Sequence, residues 1–131
     1  MSQENAEATR RMTEAVSHGD VAWLIAHTTE DFVLLPARSA VEGSFVGHAG
    51  VRRFFADNAE SFELFELRAD DVRAVPGDRV LVSGTVHVRS RGGVEIAFPY
   101  AVVTTFRDGK ASRWEDFRVR HRALKAVGLE E

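Results

Sequence analysis

The sequence predicts an α+β fold. Three N-terminal helices pack on a strongly curved, mixed or antiparallel sheet to form a cone that encloses a pocket. Three observations predict it. The first third carries apolar residues at helical spacing. The remainder alternates β-branched and aromatic runs. Short, strong turn signals separate those runs, so consecutive strands should be antiparallel neighbours.

In the first helix, Ala8, Met12, Ala15 and Val16 fall on one face at i, i+4, i+7 and i+8. His18-Gly19 ends it, the glycine supplying a left-handed stop. Asp20 is the expected N-cap of a second helix carrying Val21, Trp23, Leu24 and Ile25. Phe32 to Leu35 reads as a short apolar strand stopped by Pro36. A loop with two glycines spans 39–47. A third helix follows from about His48 to Phe62, with Val51, Phe54, Phe55, Ala59 and Phe62 as its stripe.

Strands are expected at 63–75, 79–90, 94–107 and 110–119. Pro76-Gly77-Asp78, Gly92-Gly93 and Asp108-Gly109 are the turns between them. Gly84 and Pro99 mark bends in the sheet. A last helical turn runs from Arg122 to Val127 and ends at Gly128.

The composition narrows the function. The chain has 131 residues and a net charge of -3, with basic residues scattered among acids, as in Arg52-Arg53 followed by Asp57 and Glu60. One domain spanning 1–131 is expected, without the concentrated basic face of a nucleic-acid binder. There is no cysteine, which excludes disulfides and thiolate chemistry. No apolar run suits a membrane span and the N-terminus is polar, so a cytoplasmic protein is expected. His18, His27, His48, His87 and His121 show no metal-ligand spacing, so neither metal nor cofactor is expected.

Several strings, in their order, resemble the SnoaL-like (polyketide cyclase-like) branch of the nuclear transport factor 2-like superfamily. They are Thr29-Glu30-Asp31-Phe32, then Glu42-Gly43-Ser44-Phe45-Val46-Gly47-His48 leading into Val51-Arg52-Arg53-Phe54-Phe55. Thr105-Phe106-Arg107-Asp108-Gly109-Lys110 and Arg122-Ala123-Leu124-Lys125-Ala126-Val127-Gly128-Leu129 complete the set. The resemblance implies the cone fold, a small-molecule pocket and a homodimer. It does not fix the chemistry, since the fold hosts isomerases, cyclases, hydrolases, dehydratases and binding domains. Where ketosteroid isomerases of the superfamily carry a tyrosine, a base and a second acid, this sequence holds Met12, Leu35 and Val102. None of these moves a proton. The histidine and aspartate common in SnoaL-like relatives near Val102 and Val119 are also missing.

The remaining candidates are Asp116 as acid or base, with Tyr100 or His27 orienting a ligand oxygen. Met12, Trp23, Phe32, Leu35, Phe55, Val102, Thr104 and Trp114 are the expected lining. On the last strand either Trp114 and Asp116 face the pocket, or Arg113, Glu115 and Phe117 do. A two-residue turn at Asp108-Gly109 would pair Phe106 with Ala111. A glycine-bulged turn would pair it with Lys110 and reverse the choice. The bulged turn is preferred, with Trp114 and Asp116 inward, because Arg113 and Glu115 are more cheaply solvated outside. Core packing is the plainer role for Tyr100 and the aromatics, and helix-end stabilisation for His27.

The expected ligand is a small hydrophobic molecule, carbonyl-bearing or polycyclic. The alternative is a non-catalytic binding or interaction module. The outer sheet face, either Leu81, Ser83, Thr85 and His87 or Val80, Val82, Val86 and Val88, is the expected dimer surface.

Overall fold

The computed structural model describes residues 2–36 and 43–129. Helix α1 (Ser2–His18) buries Met12, Ala15 and Val16. Thr9 and Thr13 are buried with them, each hydroxyl donating to the carbonyl four residues earlier. Ser17 accepts from the Leu67 amide at 2.8 Å, tying the helix end to the sheet. Gly19 ends the helix at φ +66°. Asp20 caps α2 (Val21–His27) by accepting from the Trp23 amide at 3.1 Å, as the sequence indicated. Strand β1 (Thr28–Leu35) and the two-residue β2 (Phe45–Val46) precede α3 (Gly47–Ser61). Of the expected 39–47 loop, 39–42 lie outside the described residues, while Phe45–Val46 form β2 and Gly47 opens α3.

Four long strands follow: β3 (Phe62–Val75), β4 (Arg79–Ser90), β5 (Glu95–Arg107) and β6 (Lys110–Asp116). The sheet order is β2-β1-β6-β5-β4-β3. The meander is antiparallel throughout, while β1 joins β6 in parallel, making the sheet mixed. Bulges interrupt β3 between Phe62 and Leu64 and between Ala69 and Asp71, and such bulges bend and coil a strand. Gly84 sits opposite the second one, where a Cβ would collide with the Arg68 carbonyl.

Two corrections concern the sheet. First, the β5–β6 hairpin has a two-residue turn, not the glycine-bulged one. Asp108 and Gly109 have φ of 52° and 81°, Arg107 pairs with Lys110, and Phe106 pairs with Ala111. The register then shifts by one residue, so that Thr105 faces Arg113 and Thr104 faces Trp114. Ser112 is the extra residue, its hydroxyl donating to the Thr105 carbonyl at 3.2 Å. The bulge sits two residues beyond the turn, and it turns Trp114 and Asp116 inward.

Second, the described residues contain four helices, and they do not all lie on one face. α1, α2 and α3 close over the inner face, where Val80, Val82, Val86 and Val88 join the main core. α4 (Arg120–Ala126) lies on the outer face. With it, Ala123, Leu124 and Val127 bury Leu81, Ala101 and Val103 in a second core. The last strand stops at Asp116 instead of 119. Its carboxylate accepts from the Arg118 amide at 2.7 Å, and Arg118 takes φ 71°, which breaks the ladder.

Candidate functional site

The interior between helices and sheet has a closed end and an open one. At the closed end Met12, Phe32, Phe55 and Trp114 surround a gap of only about 10 Å³. That is at the threshold for one water, and its walls are apolar. The sequence placed the ligand here. The side chains that line this gap leave room for no more than about one water. Val102 and Thr104 are fully buried core. Leu35 is half-buried beside Glu115, and its neighbour Leu34 takes the inward position. Trp23 is packed at the edge of the core and stacks on His27 at 3.9 Å. His27 is exposed, with Nδ1 at 2.7 Å from the Trp23 carbonyl, and it does not line a cavity with Asp116.

The open end holds a cavity of about 400 Å³. α3 supplies Phe54, Asp57, Asn58 and Ser61; β3 supplies Phe62, Phe65 and Leu67; β4 and β5 supply Val86 and Phe98. Pro36, Phe45, Trp114 and Asp116 complete it. Phe54 meets Phe45, Phe55 and Phe65 edge to face, so the aromatic wall is one packed unit. The rim is mixed: Phe98 is 45% exposed, on the half of β5 that β6 does not reach, and faces exposed Asp57 and Ser61 of α3 across the opening.

Of the eleven residues expected from the sequence, Trp114 and Asp116 line this cavity. Asn58, Phe62, Phe65 and Phe98 were missed as lining. Their signal was faint: Phe62 ends the α3 stripe, and Phe98 alternates in phase with Tyr100 and Val102.

Asp116 is the carboxylate best buried in the wall. Burial pushes its pKa above the ordinary carboxylate value. Amides of Arg118 and Ala101, and the Arg118 charge, pull the other way. Both amides bond Oδ1, at 2.7 and 3.4 Å. Tyr100 stands two positions along β5 from Val102, the partner of Asp116, on the same face. It is 2% exposed, and its hydroxyl has no partner. Burial, then the charges of Asp70 and Asp116, raise its pKa, so the hydroxyl stays protonated.

Residues 9–114 match the SnoaL-like domain. The chain belongs to the SnoaL-like family. Among solved structures it is similar to TerC co-crystallised with polyporic acid. That protein is 26% identical over 95% of this chain and 97% of its own, with a TM-score of 0.78. It is also similar to a nuclear transport factor 2-like protein of unknown function from Burkholderia pseudomallei K96243. The identity is 22%, the coverage 95% and 98%, and the TM-score 0.78. A protein with a ketosteroid isomerase-like fold from Catenulispora acidiphila DSM 44928, solved with trimethylamine, is 16% identical. It covers 89% of this chain and 88% of its own, at a TM-score of 0.72. No curated protein matches. The SnoaL-like chain shares the α+β fold of these relatives, and no helix among its described residues is long and apolar enough to cross a membrane.

Proposed function

We propose that this SnoaL-like protein binds a small, flat, hydrophobic molecule bearing a carbonyl group in the cavity at the open end. The carrying observation is a cavity of about 400 Å³ with aromatic walls and a desolvated carboxylate in its floor. Small-molecule sites commonly combine apolar walls with a few placed polar groups. The relative solved with polyporic acid supports the same class of ligand.

If the bound molecule reacts, the chemistry is proton transfer of the isomerase or cyclase type. Asp116 Oδ2 takes the proton, since Oδ1 is committed to two amides. Tyr100 is fully buried and does not line this cavity, so no contact with the ligand is assigned to it. His27 does not line this cavity either, so no part in the reaction is assigned to it.

The second reading is binding without chemistry. It is favoured by the use of Asp116 as a turn builder, and by Met12, Leu35 and Val102 at the positions where ketosteroid isomerases carry a tyrosine, a base and a second acid. Thermal unfolding with polyporic acid tests the binding: a midpoint that rises with ligand concentration is expected, and no shift at solubility-limited concentration counts against it. Proton exchange separates the two readings. A bound hydroxyaryl ketone in D2O should exchange the ring protons ortho to its hydroxyl faster with the protein than without it, and Asp116→Asn should remove the acceleration. Equal rates leave a binding module.

A homodimer through the outer face is proposed around Glu66, Arg68, Thr85 and His87, the part that α4 leaves uncovered. Sedimentation giving monomer at micromolar concentration would refute it. The absence of thiols and of an apolar span suits a cytoplasmic location.

A further inference from the structure

We propose that Asn58 is the second polar anchor of the cavity and that, opposed to Asp116, it selects ligands carrying a hydroxyl and a carbonyl at opposite ends. The inference rests on the ligand-binding reading above and sharpens it.

Asn58 belongs to the helix layer and Asp116 to the sheet layer, so the cavity lies between them. Asp57 and Ser61 also border the cavity, but both are solvent-exposed. Asn58 is half-buried, and its Nδ2 is sealed from solvent without a hydrogen-bond partner. An unpartnered buried donor is a standing cost. The backbone around it is held firmly. The Asn58 carbonyl accepts from the Phe62 amide, and the Arg91 guanidinium donates twice to the Ala59 carbonyl, once at 3.1 Å. Asn58 lines the cavity, and a rotation of its amide about the soft terminal torsion would present Nδ2 to a ligand bound there.

Asp116 is complementary. Ionised, it is an acceptor only, and the Ala101 and Arg118 amides both donate to its Oδ1. One wall therefore offers an acceptor for a ligand hydroxyl, the other a donor for a ligand carbonyl. Phe62, Phe65, Phe98 and Trp114 between them fit a flat ring system. The chemistry assigned is that of a hydroxyaryl ketone or hydroxylated polycyclic carbonyl.

Three naphthalenes of similar size test this by titration calorimetry: 6-hydroxy-2-acetylnaphthalene, 2-acetylnaphthalene and 2-naphthol. The first should bind tightest. Asn58→Leu should weaken both ketones about tenfold and leave 2-naphthol unchanged, one hydrogen bond being worth about that factor. Asn58→Ala, which adds no bulk, should do the same. Asp116→Asn should weaken the two hydroxyl compounds and spare 2-acetylnaphthalene. Without ligand, Asn58→Leu should raise the unfolding temperature, because it removes a buried orphan donor and improves helix propensity.

Equal loss for all three compounds, or none, would overturn the role of Asn58 while leaving the cavity as a binding site. A fall in unfolding temperature on Asn58→Leu would assign the amide a structural role instead. Failure of all three compounds to bind the unaltered protein would sink both proposals.

Discussion

At Asp116 one carboxylate carries two opposing demands. Its Oδ1 closes the turn that ends β6, while burial penalises its charge. The sign of the pH effect follows. The folded-state pKa lies above the ordinary 3.8, so the folded protein holds the proton more tightly than the unfolded chain. Asp116 therefore lowers stability as pH rises from about the unfolded carboxylate value through its raised folded value, and adds no further slope above that. Asp116→Asn, which keeps an oxygen for the two amides, should flatten this part of the profile, as read by urea unfolding from pH 3.5 upward. Unchanged slope would show that the carboxylate is not desolvated.

Gly84 is the other decisive residue. Its missing side chain lets the bulged β3 backbone come close, and Gly84→Ala sets a Cβ against the Arg68 carbonyl. Backbone yields less readily than side chain, so a loss of about 3 kcal/mol is expected in denaturant unfolding. The glycine as a bend was legible in the sequence. Its partner, the bulge at Asp70, was not, because nothing local distinguishes Ala69-Asp70-Asp71 from a regular edge strand.

The element that decides the site is the β5–β6 hairpin. Asp108-Gly109 correctly signalled a tight turn, yet the solvation argument then selected its glycine-bulged form and with it the wrong pairing for Phe106. The bulge at Ser112 arises from tertiary demand. Without it Trp114 would point outwards and Arg113 into the aromatic core. Solvation cost, the argument that favoured Asp116 inward from the sequence, was the right physics attached to the wrong turn.

This account makes an unusual claim about a deletion. Removing Ser112 leaves Ala111 and Arg113 already aligned with Phe106 and Thr105, so the ladder should close regularly with Trp114 still inside. In a Trp23→Phe background the emission of Trp114 should remain blue-shifted and poorly quenched by acrylamide. A red-shifted, quenchable tryptophan would refute the role given to the bulge. The helices were easier to read. The α1 stripe, the Gly19 stop and the Asp20 cap are local signals, and each stands where the spacing put it.

On the scale of the whole molecule, the cone is filled at one end and hollow at the other. The sequence showed which residues face inward but not how completely they pack, since residual volume is a difference between large sums. Phe54 and Trp114 border both the 10 Å³ gap and the 400 Å³ cavity. Phe54→Ala should join the two, at a cost of about 3–5 kcal/mol, and should admit longer polycyclic ligands than the parent protein accepts. Calorimetry with a graded series of aryl ketones would check this, and an unchanged size limit would contradict it. The outer face held a second surprise of the same kind. α4 was read as a single turn at the end of the chain, and its burial of Leu81, Ala101 and Val103 depends on a contact no local pattern announces.

Amide chemical-shift mapping with 6-hydroxy-2-acetylnaphthalene tests the central claim most directly. The account expects saturable shifts concentrated at Phe54, Asn58, Phe65, Phe98, Trp114 and Asp116. Shifts gathered instead around Met12, Trp23 and His27 or on the outer sheet face, or no shifts at all, would contradict it.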